Sequence, residues 1–255
     1  MDTQVQNFAV ANLRRRPVVV ETGGFVAGFD PGTASPYLNY ATPLPGAEPT
    51  EQDVAALVAA FRERGLMPRL EFAPEAAPGV VPALRAAGFE TEAVHEYLVC
   101  TPSGLMVPPA AHAPGVEIPE TDEEYAALDA ALAEAFGGVF APSAEGAARL
   151  RRIQQGGGAV RFVRPPEGGC AGVASCSPPA EDTAELGGVG TRPAHRGRGV
   201  AGAVTAAVTA AMFAQGVGSV WLEYSGEGSR RVYERVGYRP RGTRLYLSLP
   251  RKQRL

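Results

Sequence analysis

Arg196-Gly197-Arg198-Gly199-Val200-Ala201 follows an apolar run at 186–191 and opens an alanine- and valine-rich segment. The order reads strand, glycine turn, helix. A helix start with few side chains leaves several backbone N–H groups without partners. The helix dipole adds partial positive charge at the same end. Together they form a socket for a phosphate or pyrophosphate. Arg196 and Arg198 strengthen that reading, because guanidinium matches phosphate geometry. Gly197, Gly199 and Gly202 also spell G-x-G-x-x-G, with Glu223 about 20 residues on, as in a dinucleotide site. That alternative is disfavoured. Residues 193–196 separate the glycines from the strand, and too little chain follows Gly202 for a doubly wound sheet.

Downstream, 219–224 reads as a buried strand and 229–236 as a short helix that Gly237 ends. Arg196, Gly199 and Ala201 resemble the acyl-CoA pyrophosphate loop of the GCN5-related N-acetyltransferases: Gln or Arg, two of any residue, Gly, any, then Gly or Ala. Val232-Tyr233-Glu234-Arg235-Val236-Gly237-Tyr238 resembles the same family's hydrophobic, Tyr, Glu, basic, hydrophobic, Gly, aromatic segment. The resemblance covers roughly residues 115–250. Within it, 116–119 is expected as a first strand, 122–136 and 144–154 as helices, and 159–164, 172–177 and 183–191 as antiparallel strands. Residues 200–215 form the helix after the loop, in a right-handed crossover.

Composition bounds the rest. The formal net charge is −3 and the pI about 5.7, which argues against a nucleic-acid binder. Basic residues gather between Arg230 and Arg254, read first as a solvated charged face and second as help for the CoA phosphates. Cys100, Cys170 and Cys176 are neither evenly paired nor at metal spacing. The histidines, His95, His112 and His195, are far apart, so no metal site is expected. No apolar run reaches membrane-spanning length. Residues 1–16 lack the order of a signal peptide. A cytoplasmic protein is expected.

The chain contains a distant internal repeat. Leu222-Glu223-Tyr224 corresponds to Leu70-Glu71-Phe72, Gly237-Tyr238 to Gly88-Phe89, and Tyr246-Leu247 to Tyr97-Leu98. The expected fold is α/β (α+β). Two acetyltransferase-like units stand in tandem, each a mixed, mostly antiparallel twisted sheet flanked by helices. Boundaries fall at 1–104, a proline-rich linker at 105–114, and a catalytic unit at 115–255. In the first unit, strands are expected at 17–20, 24–29 and 37–41. Its helix begins at Thr50 and shows Val54, Leu57, Val58 and Phe61 on one face. The first unit looks disarmed. Residues 43–49 replace the phosphate loop, Glu51 and Asp53 occupy the first helical turn, and Leu84 stands where Tyr233 would be. Carboxylates there use the dipole and repel phosphate.

The resemblance implies roles for particular residues. Acetyl-CoA is the co-substrate, and a primary amine accepts the acetyl group by direct attack in a ternary complex. Val189, Gly190 and Thr191 would offer backbone to the pantetheine arm. Arg196, Gly197, Arg198, Gly199, Val200, Ala201 and Gly202 would cradle the pyrophosphate. Tyr233 would protonate the leaving thiolate. Glu223 is the first candidate base and Glu185 the second. An asparagine that relatives often place before the tyrosine is Gly226 here, with Ser225 or Ser229 as substitutes. Acetyl-CoA and the amine are the expected partners, without nucleic acid or membrane, and a homodimer is left open. The alternative function is a catalytically idle acyl-CoA-binding or interaction module. The acceptor is not legible.

Overall fold

The computed structural model describes residues 1–108 and 115–250. Chain order begins α1 (Asp2–Leu13), β1 (Val18–Thr22), β2 (Phe25–Phe29), β3 (Tyr40–Pro43), α2 (Glu51–Arg62), β4 (Arg69–Phe72), α3 (Val80–Ala86), β5 (Glu90–Cys100). It continues α4 (Asp122–Ala135), α5 (Ala144–Gln155), β6 (Ala159–Val163), β7 (Gly172–Cys176), β8 (Thr183–Thr191), α6 (Val200–Ala214). Strand β9 (Ser219–Glu223), α7 (Glu227–Val236) and β10 (Arg239–Ser248) complete it.

Contacts divide the chain into two compact units. The first comprises Met1–Tyr97 with Arg241–Leu255, and the second Leu98–Pro240. This differs from the linear boundary read in the sequence, which left 241–255 with the second unit. The reason is strand pairing. Strand β10 runs antiparallel to β4, with Leu245 opposite Phe72 and Ser248 opposite Arg69. Those bonds lie far apart in sequence and leave no local signal. The linker expected at 105–114 lies largely outside the described residues.

In the first unit the strand order is β1-β2-β3-β4-β10-β5. Strands β3 and β4 are parallel, joined over α2. Helices α2 and α3 bury Val54, Leu57, Phe61 and Leu84 against Phe25, Phe72 and Leu247. Helix α1, which the sequence reading missed, has Val5, Phe8 and Leu13 fully buried. It is held by a buried polar side chain. Gln6 Nε2 donates to Thr42 Oγ1 at 2.7 Å and to the Pro43 carbonyl at 2.5 Å. Its Oε1 accepts from the Ala73 N–H at 3.0 Å. Gln6→Leu keeps the volume and orphans these groups. At about 1–3 kcal/mol for each buried group left unpaired, the loss is expected to lower the urea midpoint measurably. An unchanged midpoint would show that α1 does not depend on this anchor. The third strand also shifts, from an expected 37–41 to Tyr40–Pro43. Tyr37 is exposed and stacks on the Arg69 guanidinium instead.

In the second unit the order is β5-β9-β8-β7-β6. Strand β5 contributes its last residues, 98–100, to this unit. Helices α4 and α5 bury Tyr125, Leu128, Leu132 and Leu150 against Phe162 and Val173 on one face. Val204, Val208, Met212, Tyr233 and Val236 pack with Ala174, Leu186 and Leu222 in a second cluster. The first strand expected, 116–119, is reduced to a bridge between Glu117 and Phe162. The internal repeat is a repeat of topology: β3-α2-β4-α3-β5 recurs as β8-α6-β9-α7-β10. Each copy carries a parallel strand pair across its first helix.

Candidate functional site

Strands β8 and β9 pair in parallel only at Thr183–Ser219, Ala184–Val220 and Glu185–Trp221. Beyond that point β8 continues to Thr191 and β9 to Glu223 without ladder bonds between them among the described residues. The far side of β8 stays paired with β7, with Gly190 opposite Val173 and Thr191 opposite Gly172. The register slips by one residue between Val173 and Ser175. That slip is a β-bulge around Gly188, whose φ of +58° suits glycine. A bulge leaves backbone groups outside the ladder. Val189, Gly190 and Thr191 follow the bulge, and Gly190 and Thr191 stay paired with β7 on one side.

The turn after β8 is built from two left-handed glycines, Gly197 at φ +75° and Gly199 at φ +78°. Gly199 is the N-cap of α6, and no side chain caps that helix. No acidic residue lies in its first turn. The Ala203 N–H is the first to reach a carbonyl, Gly199 O at 3.0 Å. The N–H groups of Val200, Ala201 and Gly202 have no partner among the described residues. A side chain on Gly197 or Gly202 would meet nothing within 4 Å, so packing does not require glycine there. Open N–H groups, open space and a dipole at one point are what an anion needs. Thr191 Oγ1 nearby is buried without a partner among the described residues.

The arginines divide their work. Arg196 donates to the Thr191 carbonyl at 3.3 Å and to the Ala135 carbonyl at 3.1 Å. Its guanidinium braces the turn against the end of α4. Arg198 is exposed and makes no ion pair among the described residues.

Tyr233 lies mid-helix in α7, only 8% exposed. Its ring meets Tyr238 edge-on at 6.2 Å, and it shares a cluster with Leu222 and Val189. Among the described residues no hydrogen bond engages its hydroxyl. Burial pushes its pKa up to about 12, so the phenol keeps its proton at neutral pH. Tyr238 is different: its hydroxyl is 2.6 Å from Thr209 Oγ1, a core bond.

The carboxylates are placed apart along the strands. Glu223 ends β9, half-buried, past the point where the strands separate. Glu185 lies in the stretch still paired with Trp221. Its backbone is held by Ser177 on both sides, at 2.8 Å and 3.0 Å. In the first unit the counterpart Glu71 is clamped by Arg69 and faces Arg244 at 3.8 Å. Ser229 donates its hydroxyl to the Ser225 and Gly226 carbonyls, both at 2.8 Å. It stabilises the loop that begins α7, and no side chain caps α7 either.

The corresponding helix start in the first unit is capped. Helix α2 starts in a capping box: Thr50 Oγ1 accepts from the Asp53 N–H, and Asp53 returns the bond to the Thr50 N–H at 2.9 Å. The Asp53 carboxylate also fills the space beside Gly23, and Glu48 fills that beside Gly79 at the start of α3. The sequence did not point to the contacts of Leu132 and Ala135 with Gly190 or to the role of Asp129. Leu132 and Ala135 stand against Gly190. Asp129, buried in α4, accepts from the Ser143 N–H at 2.8 Å and ties the start of α5. No local pattern announces these contacts, which depend on how α4 packs on β8.

Among the described residues no group of metal-ligating side chains gathers, and no helix is long and apolar enough to cross a membrane. Residues 126–238 match the model of the acetyltransferase (GNAT) family. No curated protein matches the chain. A GCN5-related N-acetyltransferase from Kribbella flavida superposes with TM-score 0.80 at 23% identity, over 98% of this chain and 96% of that one. A GNAT-family acetyltransferase from Novosphingobium aromaticivorans, described as putative, gives 0.59 at 24% identity, over 96% and 98%. A tandem GNAT protein from the clavulanic acid biosynthesis pathway gives 0.61 at 12% identity, over 93% and 86%. These likenesses concern the fold.

Proposed function

From the premise that the second unit belongs to the acetyltransferase (GNAT) family, we propose that this protein is an acetyl-CoA-dependent N-acetyltransferase acting on a primary amine. The observation that carries the reading is the uncapped start of α6 beyond a bulged, splayed β8. The N–H groups of Val200, Ala201 and Gly202 receive the pyrophosphate, with Arg198 adding charge. The backbone of Val189–Thr191 faces the pantetheine arm. Bound acetyl-CoA supplies the acetyl thioester.

The amine nitrogen forms a bond to the acetyl carbon in one ternary complex, and the C–S bond breaks. Tyr233 gives its phenolic proton to the departing thiolate. A raised phenol pKa keeps that proton available across the physiological range. The proton released by the amine passes through water to a carboxylate. Glu223, at the opened end of β9, is placed better than Glu185 in the paired stretch. An amine panel with acetyl-CoA, followed by thiol release, tests the activity. CoA binding without turnover of any amine would instead support an idle binding module, which the Gly226 position favours.

The first unit contributes no second CoA site in this reading, because Asp53 and Glu48 already occupy its helix starts. Native mass spectrometry is expected to show one CoA per chain. Glu51→Ala with Asp53→Ala should leave that count at one, since the turn would still lack the open glycines. Two CoA per chain in the parent protein would refute the disarmed reading.

A further inference from the structure

The first unit holds a cleft that the acetyl-transfer chemistry does not use. It lies between the end of β2, the 30–39 loop and residues 64–66 after α2, with a volume of about 550 Å³. That size falls in the ordinary range of small-molecule sites. Val18 and Leu66 form its apolar side, at the margin of the core beneath α2. Asp30 and Arg64 are the charged residues of its lining. Among the described residues neither forms an ion pair, with the other or with a third group. One cleft thus carries a carboxylate and a guanidinium that do not neutralise each other.

Both charges are held in place. Arg64 donates from Nη1 to the Ala60 carbonyl at 2.7 Å. Its guanidinium lies 4.7 Å from the centre of the Phe29 ring, and Phe61 fixes that ring edge-on. A guanidinium has five N–H donors, and the Arg64 side chain makes no other hydrogen bond among the described residues. Asp30 Oδ1 accepts from the Gly32 N–H at 2.9 Å, and Oδ2 accepts nothing among the described residues. The loop that carries Asp30 is pinned by Asn39, which is 1% exposed. Asn39 Oδ1 accepts from the Asp30 N–H at 2.8 Å. Its Nδ2 donates to the Thr33 and Ser35 carbonyls at 2.8 and 3.0 Å. Side chains restrained in advance lower the ordering cost of binding.

The cleft therefore presents one anion, one cation and an apolar wall. A polyamine or a polyphosphate brings charge of one sign and would leave one of the two groups opposed. A zwitterion with an apolar body meets all three. We infer that this cleft binds a free amino acid with an apolar side chain, its ammonium group on Asp30 and its carboxylate on Arg64. Charge-assisted hydrogen bonds of this kind are the strong ones, and the planar guanidinium takes a carboxylate through two parallel N–H groups. The side chain of the amino acid rests on Val18 and Leu66. Every residue involved belongs to the first unit, so a unit whose α2 start is capped still has a ligand of its own.

Calorimetry on the full chain tests this with L-leucine, glycine, L-leucinamide and N-acetyl-L-leucine. L-leucinamide lacks the carboxylate and N-acetyl-L-leucine the ammonium group. Each should bind at least about tenfold more weakly than L-leucine, the loss of one charge-assisted contact. Glycine keeps both charges without an apolar body and should also bind more weakly. Asp30→Asn and Arg64→Gln should each cost L-leucine a similar factor. Asn can still accept from the Gly32 N–H, and Arg64 is exposed, so the thermal midpoint and the CoA affinity should stay near the parent values. The Gly32 amide resonance should shift when L-leucine is added to the parent, a readout at the cleft itself. Absence of L-leucine binding at millimolar concentration would overturn the inference. So would equal affinity for L-leucinamide, or undiminished binding in both variants, which would put the ligand elsewhere. Failure of the parent to bind CoA would sink the acetyltransferase reading and leave the amino-acid site standing.

Discussion

Gly202→Glu is expected to leave the protein folded and to remove CoA binding. Gly202 is the third residue of α6, and a side chain there meets nothing within 4 Å. A carboxylate at this helical position is favourable, because it reaches back to the N–H groups just before the helix and suits the dipole. The protein already does this elsewhere. Glu124, third in α4, accepts from the Glu120 and Thr121 N–H groups at 2.7 and 3.0 Å. Those bonds, with the Arg164 guanidinium, hold its pKa down to about 2. At Gly202 the same carboxylate would occupy the socket and repel phosphate. CoA affinity should fall by at least about a hundredfold, near 3 kcal/mol, with the thermal midpoint unchanged or higher. Gly202→Ala should bind within a few-fold of the parent. Gly199→Val should also lose CoA, because φ +78° is strained for a β-branched residue. That variant alters the turn itself, so the Gly202 pair is the cleaner measurement. Undiminished calorimetric affinity in Gly202→Glu would remove the phosphate-loop assignment.

Tyr233→Phe should cost roughly the 10²–10⁴ in kcat typical of a lost general acid, with CoA affinity little changed. The substitution removes only the hydroxyl. No hydrogen bond engages that hydroxyl among the described residues, so the core around Leu222 and Val236 should keep its packing. Stability should therefore move little, unlike Tyr238→Phe, which breaks the bond to Thr209. With the phenol pKa near 12, ionisation of Tyr233 should not limit kcat in the neutral range. A loss confined to KM would signal uniform binding instead. Parent-like turnover of a verified acceptor would make Tyr233 a packing residue and turn attention to Glu223 and Glu185.

The glycine turn and the uncapped start of α6 were readable because their determinants are short-range. Left-handed glycines, an uncapped first turn and a missing acid are properties of residues 197–202 alone. The capping box at Thr50 and Asp53 is equally local, and so the acidic, capped start of α2 was readable too. Chain order carried the topological repeat, since Gly88-Phe89 and Gly237-Tyr238 end equivalent helices in both copies.

What the sequence could not decide depends on groups that meet only after the chain has folded. Helix α1 lacks a strong apolar stripe, and Gln6 is buried there because Thr42, Pro43 and Ala73 supply partners from distant segments. The end of the described chain, from Arg241 on, joins the first unit because β10 finds its ladder on β4, a pairing with no local signature. The contact of Arg196 with the Ala135 carbonyl was equally out of reach, because only the packing of α4 brings that carbonyl to it. Glu71 repeats Glu223 in sequence, but Arg69 and Arg244 surround it. Turn conformation and helix capping are fixed by sterics within a few residues, whereas the partner of a buried charge or the neighbour of a strand is chosen by tertiary packing.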